Sequence, residues 1–264
     1  MNYIAEDFHL HYIPNYTLYV QSDLQRDHLV VIGTSNDVLA YIAYDNEHPS
    51  AEATKILSYP FEKVYISLPH QNLIWVPAEL FNPDELNLYA DYFVDPSQQS
   101  IQFQSFQKQN LVAVYQFDTI WYNRWKNILP DAEFSPRFKT AFQKVSSNLE
   151  NTEELLYVHV YEQQADFCLF MNGELRLFNT YEVQAPDDLA YYILSIIKNF
   201  AIEGKIQKIQ LIGLSKEFDF AKRIAIYTKQ LEEVNAESNW QVSNREVENS
   251  LKELNILADL TICE

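Results

Sequence analysis

The chain has 264 residues, enough for two domains of ordinary size, and 47% of them are apolar, enough for a substantial core. Nineteen Lys and Arg stand against 37 Asp and Glu, a formal charge of −18 that repels nucleic acid and anionic lipid. Glycine occurs only four times, which weighs against backbone phosphate cradles, because such turns need close approach and positive φ.

The N-terminus, Met1-Asn2-Tyr3-Ile4-Ala5-Glu6-Asp7, has neither a basic head nor an apolar stretch, so no signal peptide is expected. No run approaches 18 apolar residues, so no spanning segment is expected either. His9 and His11, two apart, would share one face of a strand, but nothing nearby completes a ligand set, and no metal site is assigned. Three strands are then predicted at Tyr16–Gln21, Leu29–Thr34 and Val38–Tyr44, with Asn36-Asp37 as a hairpin-type pair. A short helix near Ala51–Leu57 and a strand at Val64–Leu68 follow.

Beyond Leu68 come a strand near Leu73–Val76 and a helix start at Asn82-Pro83-Asp84-Glu85. Asn82 can cap there, Pro83 suits the first turn, and the acids favour the positive end of the dipole. Strands at Ile101–Phe106 and Leu111–Phe117 lead to a helix carrying Trp121, Tyr122, Arg124 and Trp125. Trp121 and Trp125, four apart, share a helical face. Core packing is the plainer explanation; an exposed interface anchor is the sharper one, since Trp, Tyr and Arg dominate binding hot spots. A helix at Thr140–Leu149 reaches the acidic junction Asn151-Thr152-Glu153-Glu154.

The second half repeats the opening pattern, with strands at Leu155–Tyr161, Asp166–Met171 and Leu175–Val183. Asn172-Gly173 between the last two signals a tight hairpin. Leu189, Ile193, Ile196, Ile197 and Phe200 form one helical face, followed by a strand at Ile209–Ile212 closed by Gly213. Helices are expected near Phe220–Val234 and Glu246–Leu254, then an apolar run, Ile256–Ile262. The Lys- and Arg-rich tract from Lys205 to Arg223 is interrupted by acids and reads as a solvated face. Short identities support a repeat: Leu18-Tyr19-Val20 recurs as Leu156-Tyr157-Val158, and Ile56-Leu57-Ser58 as Ile193-Leu194-Ser195, at offsets of 138 and 137.

Three strands, a helix, a strand and a helix, done twice, resemble the plan of the actin-like superfamily. By its aromatic-rich strands and its length the chain also resembles an uncharacterised bacterial family thought to share that fold. The resemblance implies a two-lobed α/β, ribonuclease H-like architecture, each lobe a mixed sheet flanked by helices. It implies an N-terminal lobe over 1–152, with an extra subdomain near 69–118, and a C-terminal lobe over 153–264.

The superfamily holds ATP between its lobes with two hairpins carrying Asp and Gly and with a Gly-rich adenosine loop. The matching positions here are Val20 to Arg26, with Asp23 as the acid near the turn, and Val160 to Asp166, with Glu162 and Asp166; neither stretch has a glycine. The adenosine loop would be Leu211-Ile212-Gly213-Leu214-Ser215, with one glycine where two are usual. All three elements being degraded, the expected function is a non-catalytic actin-like binding or scaffold protein without a cofactor. The alternative is an atypical ATP-dependent kinase or ATPase using Asp23, Glu162 and Asp166, with Gly213 at the nucleotide and ATP with Mg²⁺ as cofactor.

Gly213-Leu214-Ser215 resembles half of a hydrolase nucleophile elbow, but Glu217 replaces the second glycine. A carboxylate pair of the glycosidase type has no positive support. Cys168, in an alternating apolar run, reads as a small buried hydrophobe, and two cysteines make no disulfide framework. The expected setting is the cytoplasm. The expected ligand is a basic or neutral protein, with a homodimer as a separate expectation, and with no nucleic acid and no membrane.

Overall fold

The computed structural model describes residues 1–93, 101–147, 149, 154–214 and 218–262. Most of the expected junction, residues 151–153, lies outside them, as do Ser215, Glu217 and Cys263. The chain forms two compact units: residues 1–143 with 239–247, and residues 144–238 with 248–262. Compactness therefore divides the chain at Gln143/Lys144, and a segment near the C-terminus rejoins the first unit.

In the first unit β1 (Asn2–Ile4), β2 (Thr17–Ser22), β3 (Arg26–Ile32) and β4 (Val38–Asp45) precede α1 (Ala51–Leu57) and β5 (Lys63–Leu68). Then come β6 (His70–Pro77), β7 (Gln102–Phe106), β8 (Leu111–Phe117), α2 (Thr119–Ile128), β9 (Glu133–Pro136) and α3 (Arg137–Ser147). The main sheet runs β1-β4-β3-β2-β5-β9. β2 is antiparallel to β3, and β2, β5 and β9 are mutually parallel. Five of the six residues of β2 are buried, so the strand is covered on both faces, with Leu18-Tyr19-Val20 as its apolar centre and Gln21 and Ser22 as buried polar residues at its end. Gln241 of the returning segment bonds the turn at Asn36 and the start of β4, and Trp240 packs on Tyr19 with ring centroids 5.1 Å apart.

A separate three-stranded sheet, β6-β8-β7, is inserted between β5 and α2. Trp75 and Phe106 on one face meet Phe142 of α3 at 4.3 and 4.6 Å between centroids. The other face, around buried Val112 and Val114, is covered by residues 78–93. Where the sequence predicts a helix from Asn82, the chain forms a 3-10 helix, Pro83–Tyr92, kinked at Glu85. Asn82 does cap it, accepting from the Asp84 amide at 3.1 Å.

The second unit contains β10 (Glu154–Tyr161), β11 (Gln164–Met171), β12 (Glu174–Glu182), α4 (Pro186–Asn199), β13 (Ile206–Ile212), α5 (Asp219–Ile224) and β14 (Thr228–Glu233). α6 (Arg245–Glu253), which starts in the returning segment, and α7 (Asn255–Ala258) close the chain. The sheet runs β12-β11-β10-β13-β14, with β10, β13 and β14 parallel. This is the order and direction of β4-β3-β2-β5-β9 in the first unit. Leu156, Val158, Phe167 and Leu169 on one sheet face pack with Leu189, Ile193 and Ile196 of α4.

The predicted helix over Phe220–Val234 is corrected. Only α5 and a 3-10 turn, Ala225–Tyr227, are helical; Thr228–Glu233 is a strand, whose parallel pairing with β13 overrides its local helix propensity. The basic tract is a paired face: Lys208 bonds Glu232, Lys222 bonds Asp219, and Arg223 bonds Asp187.

Candidate functional site

In the first unit, Asp23 follows β2 at the hairpin into β3 and is 3% exposed. Its Oδ1 accepts from the guanidinium of Arg137, at the start of α3, and its Oδ2 accepts from Gln21 Nε2 at 3.1 Å. Arg137, itself 2% exposed, also donates to the Ser22 carbonyl at 3.0 Å. A second pair closes the same hairpin. Asp27 accepts from Ser22 Oγ at 2.6 Å and from Arg124 of α2 at 2.5 Å. Burial, and then the charge of Asp27, push the Tyr44 hydroxyl up, so it stays protonated beside them.

A cation brought to Asp23 would meet the guanidinium of Arg137, which already neutralises that carboxylate, and like charges repel. Removing the Asp23 carboxylate would take the counter-charge from a buried guanidinium, at a cost of about 3–5 kcal/mol.

In the second unit, Glu162 sits at the turn between β10 and β11, exposed and at φ 46°. Asp166 lies inside β11, 1% exposed, opposite His159 of β10. It accepts from Tyr161 Oη at 2.8 Å and Thr180 Oγ1 at 2.6 Å, with His159 Nδ1 at 3.7 Å. The two acids therefore occupy different environments, one solvated and one knitted into the sheet. Next along the same face, Tyr157 and Cys168 pair across the strands, and burial raises both hydroxyl and thiol well above their usual range. Cys168 is thus the inert buried thiol its apolar surroundings predict.

Gly213 follows β13 at φ 73°, and a Cβ there would lie 2.5 Å from the Val160 carbonyl oxygen. Both facts demand glycine. A pocket of about 680 Å³ opens at this point. Gly213 and Leu214 line it just beyond β13, and Val234 and Asn235 just beyond β14; Asn249 of α6 and Asn255 of α7 complete it. The pocket thus lies outside the carboxyl ends of two parallel strands, the place where open α/β sheets hold ligands. Asn255 is 7% exposed and donates to the Val234 carbonyl, while its Oδ1 has no partner among the described residues. Sequence reasoning found Gly213 but not Asn235, Asn249 or Asn255, which no local spacing marks and which meet only because the chain returns.

The aromatic helix mostly faces inward. Asp118 caps α2 through the amides of Ile120 and Trp121. Trp125 is fully buried, so it is a core residue and not an exposed anchor. Tyr122 stacks on Phe117 at 5.5 Å, and Arg124 lies 5.4 and 5.0 Å from the Trp121 and Trp125 rings while reaching Asp27. Trp121 is half-buried. His9 and His11 lie in and beside a 3-10 turn, Leu10–Asn15, so the strand geometry that would align them is absent. Among the described residues no three His, Cys, Asp or Glu gather as a metal site.

The sequence profile of one family matches residues 5–231. The chain belongs to DUF3822, described as protein of unknown function. Solved structures similar to this DUF3822 member include a Bacteroides thetaiotaomicron VPI-5482 protein with an actin-like ATPase fold and unknown function. That protein is 18% identical, with a TM-score of 0.68, over 95% of this chain and 98% of the other. The PilM–PilN type IV pilus biogenesis complex is similar at 12% identity and a TM-score of 0.61, over 93% and 97%. No curated protein matches the sequence. The fold is actin-like, as the order of elements implies, and no helix among the described residues is long and apolar enough to cross a membrane.

Proposed function

We propose that this protein is a non-catalytic member of the actin-like fold, a binding or scaffold protein that does not hydrolyse ATP. The observation that carries the reading is the Asp23–Arg137 pair: at the hairpin where the fold would present a metal-binding acid, the carboxylate is already neutralised by a buried guanidinium. Neither hairpin has a glycine, so a phosphate would meet side chains where it needs backbone N–H groups. In the second unit one oxygen of Asp166, Oδ1, accepts from both Tyr161 and Thr180. The similar PilM is described in complex with PilN, which agrees with a fold used to hold a protein partner. The charge of −18 favours a basic or neutral protein over nucleic acid or membrane, and we place the protein in the cytoplasm.

The pocket beside Gly213 favours a second reading, an atypical ATP-dependent kinase or ATPase; the acids the sequence offers for it are Asp23, Glu162 and Asp166, none of which lines that pocket. A thermal shift titration with millimolar Mg²⁺–ATP, and with adenosine alone, separates the two. A ligand at a hundred times its Kd stabilises by about 2.7 kcal/mol, which moves Tm by several degrees. No Mg²⁺-dependent shift is expected. A clear one, lost in Asp23→Asn, would overturn the non-catalytic reading.

A further inference from the structure

The inserted three-stranded sheet carries an apolar surface that its own cover leaves open. Among the described residues its outer face has three buried ones, Phe93, Val112 and Val114, because the covering segment is a kinked 3-10 helix and not a broad α-helix. Phe81 bridges Tyr89 and Phe103 at 5.9 and 5.0 Å between centroids. Around it Leu80, Leu88, Tyr92 and Phe103 are 70, 60, 73 and 43% exposed. Single exposed apolar residues are ordinary, but these fall on one short segment and the edge strand it covers.

The charge on the covering segment has one sign. Glu79, Asp84, Glu85 and Asp91 are all exposed on the same segment, and between Lys63 and Lys108 the sequence contains no Lys or Arg. The covering segment, residues 78–93, thus sets its apolar residues among acids alone, and the described cation of the inserted sheet, Lys108, lies at the β7–β8 turn.

We propose that this surface, centred on Leu88, Tyr92 and Phe103, docks an amphipathic helix of a partner protein whose apolar stripe is flanked by Lys and Arg. The apolar anchors supply the affinity, and the acids of the covering segment select for a basic flank and against an acidic one. A second copy of this chain is a poorer match, because it would bring acid to acid. The proposal rests on the binding-protein reading, yet it is tested without nucleotide. Loss of this surface and a positive ATP titration are therefore separate failures.

The test uses the full-length chain and two synthetic helical peptides sharing one leucine stripe, one flanked by Lys and Arg, its twin by Glu. Fluorescence anisotropy gives affinity, and amide shifts locate the contact. The basic peptide is expected to bind at least about tenfold more tightly than its twin and to shift amides across 80–93 and at Phe103. Leu88→Asp and Tyr92→Asp, both at exposed positions, should each weaken it about tenfold while leaving Tm unchanged. Glu79→Lys combined with Glu85→Lys should narrow the gap between the peptides. Equal binding of both peptides, shifts elsewhere on the chain, or indifference to the aspartate variants would overturn the proposal. So would sedimentation showing a dimer that Leu88→Asp dissociates, which would assign the surface to self-association.

Discussion

At the scale of single residues, two glycines in the same unit separate conformational need from packing need. Gly173 turns the β11–β12 hairpin at φ 80°, and nothing lies within 4 Å of the position a Cβ would take. Gly213 has nearly the same φ, but its Cβ would meet the Val160 carbonyl at 2.5 Å, and backbone cannot step aside as a flexible side chain can. Gly173→Ala should therefore cost about 1 kcal/mol, the penalty for a left-handed alanine alone. Gly213→Ala should cost that much plus the displacement of β13 from β10, at least about 2–3 kcal/mol in all. Urea unfolding of the two variants checks the difference, and equal losses would mean that β13 moves away from β10 at little cost. The glycine count exposed the missing phosphate turns in the sequence. What replaces them was not legible there, because Arg124 and Arg137 lie about a hundred residues from the acids they hold.

At the scale of elements, α2 shows how a cap positions chemistry. Asp118 satisfies two of the free amides at the start of the helix, at 2.9 and 3.3 Å. Arg124, less than two turns on, depends on that start to reach Asp27. Asp118→Ala should cost about 1 kcal/mol, and raised amide exchange should extend from Thr119 to the β2–β3 hairpin. Exchange confined to the first turn would show that Arg124 is held by its aromatic neighbours instead. The central strands were legible because their apolar runs and the Asn172-Gly173 turn agree with the tertiary answer. β9, four residues long, and β14, polar at Lys229, Gln230, Glu232 and Glu233, were not. Both are strands only because a parallel neighbour, β5 or β13, supplies the hydrogen bonds. The Trp helix invited an interface reading because a helical face of Trp looks the same whether a partner or the protein's own core covers it.

At the scale of the molecule, two sheets share one order over five strands, the first unit adds the inserted three-stranded sheet, and the whole chain carries 18 excess negative charges. The buried pairs, Arg137–Asp23 and Lys144–Asp259, are shielded from ions in solution, so salt weakens them little. The exposed acids, in contrast, repel one another in the folded state more than in the expanded one, and salt screens that repulsion. The second effect should win. Raising NaCl from about 20 mM, where the Debye length exceeds 20 Å, to about 500 mM should raise Tm by several degrees, most steeply below about 150 mM. A scan of Tm against salt at pH 7 measures it. A fall in Tm would mean that surface ion pairs such as Arg223–Asp187 and Lys208–Glu232 outweigh the net repulsion, and that the excess charge is spread too thinly to select a basic partner.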